Sequence, residues 1–546
     1  MDFVLSYPVI AAALLSLLAI CKAIYRLYVH PLSGFPGPKL AAVTSIYEFY
    51  YDVVKRGMYL WEIERMHEKY GMYSYLSSGP PITNATNQSP TKFRKLRPAP
   101  LILPGPIVRI SPRELHIKDS HYYEDIHASG SRKRNRDPKY AVSFGAPYSL
   151  VGTIDHDHHR FRRSFIQNYF SKRSVTSLTP YISAKVDQLL NRLQAAHENS
   201  TVLHLQHDFG ALTADVITQY CYGWSYGYLD DTKSSTRNDL VDAVNGLMLM
   251  FHVNRFFPFL VTIFRNAPQA VVRFVQPQMG DLCEVKAQLR KQATAALKKK
   301  SAEVKEGDEK SKDSIFDALT APNVPEDERT VDRLVDESAL LLGAGTETTA
   351  RSLAVSMFHV INDKNIGNKL REELKTVLEK PTSKATWTEL EHLPYLTGVV
   401  NEGLRLSHGM TARLSRISPI ENMLYKDWVI PAGTPVSQSN YFVHMDPTLF
   451  PEPQKFDPER WVQAAEKGEH LTRYIVAFTK GAKQCLGMNL AYAEIYMTLA
   501  HVLRRFELEP HETTAEHLIV RRELGVGYSM DMKFDVMAKV VGVVLV

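Results

Sequence analysis

The chain has 546 residues, 45% hydrophobic and 23% charged, with a net charge of +6. That composition is ordinary for a globular protein with a large core, and so modest a charge argues against a nucleic-acid binder. Its four cysteines, Cys21, Cys221, Cys283 and Cys485, form no CxxC pair and no dense framework, which fits a reducing compartment.

The first predicted element is a membrane span. Residues 4–21 carry no acid and no base, and carried on to Leu27 the stretch is close to the ~20 residues that cross a bilayer. Lys22 and Arg26 follow, with Tyr25 and Tyr28 as interfacial aromatics. Positive charge on the C-terminal side predicts a single-pass anchor over 1–30 with the rest of the chain cytosolic. The same charge order is the reverse of a cleaved signal peptide. HPLSGFPGPKL comes next, and Pro31, Pro36 and Pro38 stop the helix and predict a rigid spacer.

Residues 72–105 stand apart. They are polar, rich in proline and serine, and without periodicity, and they interrupt MHEKYG and PIVRIS, which would join naturally as KYG-PIVRIS. Gly71-Met72-Tyr73 can be encoded with GTATGT, a common intron start, and Pro104-Gly105 can be encoded to end an intron in the same phase. The segment reads as an insert; a translated, unspliced intron would explain it, and a genuine disordered surface insertion is the alternative.

Beyond it, apolar residues recur at helical spacing over 183–193, 335–361, 366–378 and 490–506. Short extended runs fall at 107–110, Trp428–Ile430 and Pro435–Ser437. Residues 298–312 are charged and poor in apolar side chains, which predicts a solvated loop. The expected fold is one large, mainly α domain with a small β region, residues 31–546, behind one anchor.

Chemistry concentrates in FTKGAKQCLG, Phe478 to Gly487. A thiolate at Cys485 bound to haem iron would push electron density onto the metal. Gly481 and Gly487 would allow a tight loop and close approach to a porphyrin. Phe478 would exclude water, and the helix from about Leu486 would point its N-terminal dipole at the sulfur.

This decapeptide resembles the signature of the cytochrome P450 haem-thiolate monooxygenases, matching at Phe478, Gly481, Cys485 and Gly487. It departs at Lys483, where the family usually has an arginine on a haem propionate; lysine keeps the charge and loses the fork. GAGTETT resembles the family's oxygen-activating helix. The resemblance implies Ala344 against the haem, Thr348 as hydrogen-bond partner of the activated oxygen, and Glu347 as proton relay. NEGLRL supplies the ExxR pair Glu402 and Arg405, three apart on one helix face, and FDPERW supplies Arg460. The three are expected to form a structural charge network behind the cysteine loop. In HDHHRFRRSF, His159 and Arg163 match the helix that flanks the haem, and Arg416 in RLSRISP matches another propionate partner. A metal site made by the three histidines of that segment is the weaker reading.

The resemblance runs from about Pro31 to the C-terminus apart from the insert. It implies haem b as cofactor, O2 and a lipophilic small molecule as substrates, and electrons from NADPH through a separate cytochrome P450 reductase at the endoplasmic reticulum membrane. Arg160, Arg162 and Lys480 are expected on a cationic face toward that reductase. Pocket pieces are expected at 137–150, 247–264, 340–344, 410–414 and 525–528. Phe251, Phe256, Phe257 and Phe259 among them would touch substrate or membrane. HPLSGFPGPKLAA, YEFYYD and RELHIKDS look most similar to filamentous-fungal enzymes of secondary metabolism of the trichodiene-oxygenase kind, hence a terpenoid-like substrate. Two alternatives are a haem-thiolate isomerase or dehydratase working without a reductase, which the intact Glu347-Thr348 element argues against, and an inactive haem-binding protein.

Overall fold

A computed structural model describes residues 2–70, 106–230, 239–275, 277–306, 314–532 and 534–544. The predicted insert, 72–105, lies outside them.

The core is built around one helix, Val331–Asn362, which packs on helices Leu205–Tyr222, Pro277–Glu306, Pro394–Ser407 and Met488–Arg505. Its first turn is fixed by Thr330, whose side chain accepts from the amide of Arg333. It ends at Asp363, which turns the chain and caps the next helix, Lys364–Lys375, by accepting from the amides of Asn365 and Ile366. Gly345 lets this helix lie close to Leu205–Tyr222: a Cβ there would stand 2.9 Å from Ile217 Cγ1. The helix is unbroken through GAGTETT, and this glycine serves close packing.

The small β region is a five-stranded sheet in the order Ile107–Arg109, Leu115–Ile117, Pro435–Ser437, Arg416–Ile417, Asn135–Arg136. Leu115–Ile117 and Pro435–Ser437 pair parallel, and the other neighbours antiparallel. The register sets Arg136 directly opposite Arg416. The proline-rich spacer is pinned to this sheet by the amide of Arg109, which donates to Pro36 O at 2.6 Å, and to the separate two-stranded hairpin Met423–Tyr425/Trp428–Ile430 by Phe35, which stacks on Trp428 at 4.7 Å.

The predicted helices are present as Lys172–Glu198, Val331–Asn362, Lys364–Lys375 and Met488–Arg505, and the three extended runs as strands. The N-terminal helix contains one 23-residue stretch, Tyr7–Val29, long and apolar enough to cross a membrane, and none of it is buried in the protein. The expected loop at 298–312 is corrected in part, because helix Pro277–Glu306 runs into it. Alanine, leucine and lysine are good helix formers, and a charged stretch on a helix face is solvated without being a loop. The four phenylalanines also part company. Phe251 is fully buried, Phe256 meets Phe49 edge-on, and Phe257 and Phe259 are exposed.

Candidate active site

The cysteine loop is held by its own backbone. The amide of Cys485 donates to Phe478 O at 2.9 Å and that of Gln484 to Gly481 O at 3.0 Å. Gly481 has φ +71°, and a Cβ there would collide with His127 O at 1.8 Å, so no other residue fits. Gly487 stands at the head of helix Met488–Arg505 and its amide hydrogen-bonds the thiol. Burial pushes the Cys485 thiol up, while the Gly487 amide and the Arg163 guanidinium pull it down. The residue nevertheless keeps accessible surface. Phe478 turns to Tyr492, ring centroids 5.2 Å apart.

Beside the loop lies a set of buried cations. Arg136 and Arg416, cross-strand partners, are both buried, as are His159 and Lys483. Like charges directly opposite on a sheet are destabilising. Burial, then Arg136 and Arg416, bring the Lys483 ammonium down to about 6. Burial and Arg416 bring Arg136 down to about 9, and burial with Lys483 foremost among the neighbouring cations depresses His159 strongly. The carboxylate acting on Lys483 is Asp155, whose Oδ1 already accepts from the amides of Asp157 and His158. Among the described residues, Arg136 Nε, His159 Nδ1 and Lys483 Nζ have no hydrogen-bond partner. Donors and positive charge thus converge without an anion, which fits the two propionates of haem b. Arg163 sits between the two features. Its Nη1 donates to Gln484 O at 2.7 Å, and it acts electrostatically on both Cys485 and Lys483.

On the central helix, Leu340, Ala344 and Thr348 stand at i, i+4, i+8; Ala344 is exposed and the other two are half-buried, while Leu342, Thr346, Glu347 and Thr349 are buried. Thr348 Oγ1 donates to Ala344 O at 2.7 Å. Glu347 is buried and ion-paired one turn on, Arg351 Nε to Oε1 at 2.7 Å, and Arg351 also donates to Gly527 O at 2.8 Å. Four of the five expected pocket pieces meet, all but 340–344, whose Leu342 belongs to the main core. Tyr140, Phe144, Phe251, Met410, Ala412 and Leu414 pack as one apolar cluster. Leu247, Met248, Leu524, Val526 and Tyr528 form the next, sharing Met410.

The ExxR network is complete. Arg405 donates to both oxygens of Glu402 at 2.7 and 2.8 Å, and Arg460 Nε to Glu402 Oε1 at 3.1 Å. Arg405 also binds His444 O at 2.9 Å, and His444 Nε2 accepts from the amide of Val476 at 3.0 Å. This ties the network to the strand of chain that leads into the cysteine loop.

Arg136 is the site residue that sequence reasoning missed. It sits in the charge run SRKRNRD, and only its pairing with Arg416 marks it. Arg136→Leu is expected to speed haem loss about tenfold or more, the effect of one charge-assisted hydrogen bond, measured by haem transfer to apomyoglobin. The cationic face is also corrected. Arg160 is exposed, but Arg162 Nε donates to both oxygens of Glu328 at 3.0 and 2.8 Å and is engaged there. The histidines of HDHH do not converge: His158 binds Glu328, and His156 Nδ1 accepts from the amide of Arg134. Asp52, His252 and Glu523 do come within metal-ligating range. However, His252 Nε2 already hydrogen-bonds Glu523 O at 2.7 Å, and Arg255 pairs with Asp52, so the cluster is a buried ion-pair network.

A thiol at a helix head, flanked by buried cations that lack their anion, is what a haem-thiolate protein builds for an iron porphyrin with two carboxylates, and this fold defines that class. The chain belongs to the cytochrome P450 family, whose model, described as Cytochrome P450, matches residues 94–530. It is similar to conidiogenone synthase of Penicillium rubens, 42% identical over 504 residues, 92% of this chain and 93% of the relative. It is also similar to the cytochrome P450 monooxygenase TRI4 of Fusarium sporotrichioides, 42% identical over 493 residues, 90% and 86% of the two chains. The cytochrome P450 monooxygenase astB of Aspergillus terreus is 40% identical over 542 residues, 98% of each. The chain is therefore a monooxygenase, an oxidoreductase that incorporates oxygen from O2, with haem iron, a redox partner and a small-molecule substrate.

Proposed function

We propose that this monooxygenase acts in fungal secondary metabolism, inserting one oxygen atom of O2 into a terpenoid or similarly lipophilic intermediate. Electrons come from NADPH through a separate cytochrome P450 reductase. The convergence of Phe144, Phe251, Met410, Leu247 and Val526 into adjoining apolar clusters carries the reading of the substrate, and the relatives are named as cytochrome P450 monooxygenases and a conidiogenone synthase.

Haem, when bound, supplies the oxygen-activating chemistry. The chain's part is to hold the sulfur as an anion through the Gly487 amide, the helix head and Arg163, and to hold the propionates through Arg136, His159, Lys483 and Arg416. Thr348 holds a proton on the substrate side once its hydroxyl leaves Ala344 O. Glu347, positioned by Arg351, passes protons toward it. Thr348→Ala is expected to keep haem and NADPH consumption while product per NADPH falls by ~10²-fold, the scale of one general acid. Comparing NADPH oxidation with product yield checks it. An unchanged yield would remove Thr348 from the relay.

The anchor is placed in the endoplasmic reticulum membrane with the catalytic domain, 31–546, on the cytosolic side. Ile46, Tyr50 and Val54 are exposed at i, i+4, i+8, and Phe49 between them touches Phe256 and Phe257. Phe257, Phe259 and Ile263 therefore extend the same apolar face toward the bilayer. Residues 72–105 are an insert into this domain from an unspliced intron, and a dominant transcript that keeps them and yields active protein would refute that. The function itself is tested by feeding terpenoid intermediates to membranes holding this chain and a reductase. Oxygenated products that require NADPH are expected; products formed without it would indicate an isomerase.

A further inference from the structure

We propose that the junction between anchor and catalytic domain binds the phosphate of an acidic phospholipid head group. The inference rests on the anchorage proposed above. A cavity of about 280 Å³ opens there, with Leu27, Tyr28, Ser33, Phe35, Lys39 and Arg109 on its wall. It falls just below the ~300–1,000 Å³ of ordinary small-molecule sites and suits a head group better than a whole substrate. Leu27 and Tyr28 belong to the last turns of the apolar span Tyr7–Val29, so the cavity lies at the depth where head groups begin.

Among the described residues its charge has no counterpart. Arg109 is 2% exposed. Its Nη1 donates to Arg26 O at 2.8 Å and Leu32 O at 3.2 Å, and Nη2 to Pro112 O at 2.8 Å, all neutral carbonyls. Its Nε has no partner. A buried guanidinium with no carboxylate is costly to maintain. Burial and the nearby Arg26 pull Arg109 down to about 10, while burial, Arg109 and Arg26 also lower His30. Among the described residues no acid acts on either one. Lys39 is exposed at the rim, and no ion pair engages it among the described residues. Cationic donors of this kind recognise a phosphate, and polybasic sites next to a membrane span are drawn to anionic lipids. The apolar wall, with exposed Val29 and Leu40 beside it, favours a lipid ester over free phosphate. A choline or ethanolamine head group would bring its own cation against Arg109 and Lys39.

The haem-loaded full chain, placed in phosphatidylcholine vesicles containing some photoactivatable phosphatidic acid, tests this by mass mapping of crosslinks. Crosslinks are expected on the Ser33–Lys39 stretch. Lys39→Gln should reduce them about fivefold, as for one basic residue at the surface. Lys55→Gln removes an exposed charge away from the cavity and should leave them unchanged. Equal loss in both variants, or crosslinks scattered over the chain, would overturn the site in favour of diffuse attraction. Full competition by inorganic phosphate would overturn the lipid assignment. Flotation with phosphatidylcholine alone reports the anchor separately: a chain that floats without the crosslinks loses only this site, and a chain that does not float loses the anchorage as well.

Discussion

The Cys485→Ser chain is expected to fold and to show no thiolate Soret band in its carbon monoxide difference spectrum. The loop does not depend on the sulfur for its shape. Backbone bonds from Cys485 to Phe478 and from Gln484 to Gly481 close it, and Gly481 fits a gap that admits no Cβ. Serine can therefore occupy the position with little strain. Its hydroxyl does not ionise near neutral pH, so the Gly487 amide, the helix head and Arg163 would have no anion to stabilise. Losing an outer-shell partner of a metal ligand typically costs 10–100-fold, and loss of the ligand itself should exceed that, to the point of abolishing monooxygenation. Retention of the thiolate band would mean that another side chain grips the iron, and the assignment of this site would fail.

Arg405→Leu is expected to prevent accumulation of folded haem protein. Its guanidinium serves both oxygens of Glu402 and the carbonyls of His444, Pro453 and Lys455, the last two at 2.6 and 3.1 Å. Leucine fills much of the volume and leaves those acceptors bare. Removing one partner of a buried ion pair costs about 3–5 kcal/mol, and an orphaned carbonyl adds ~1–3 kcal/mol. Against a total stability of ~5–15 kcal/mol, that is enough to unfold the chain. Arg460 Nε and Trp461 Nε1, which donates to Glu402 Oε2 at 2.9 Å, remain and cannot reach the carbonyls. Thermal melting and haem content of the soluble fraction would show the effect. Adding Glu402→Gln should recover part of the loss, since it removes the buried charge that Arg405→Leu strands. A double variant as unstable as the single one would assign the loss to the carbonyls alone.

The contrast between these two sites shows where sequence reasoning reached and where it stopped. The cysteine loop is a local structure: ten consecutive residues carry the candidate ligand Cys485, the glycine that permits the turn and the residue that heads the helix. Glu402 and Arg405 are also local, set on one face by helical spacing. Arg136 has no such marker, because a cation in a run of cations reads as solvated until a strand 280 residues further on is laid against it. Arg162 fails the opposite way, read as free until Glu328 reaches it. Gly345, too, takes its meaning from Ile217 on a neighbouring helix.

The order of residues alone pointed to the long periodic helices, to Cys485 as the candidate thiolate and to the apolar stretch long enough to cross a membrane, because each depends on periodicity or on groups within a few positions. Only the packed chain decided which charges are buried, which of them lack a partner and which apolar side chains share a wall. Burial and pairing are properties of distant segments brought together, and the electrostatics of this site follow from them.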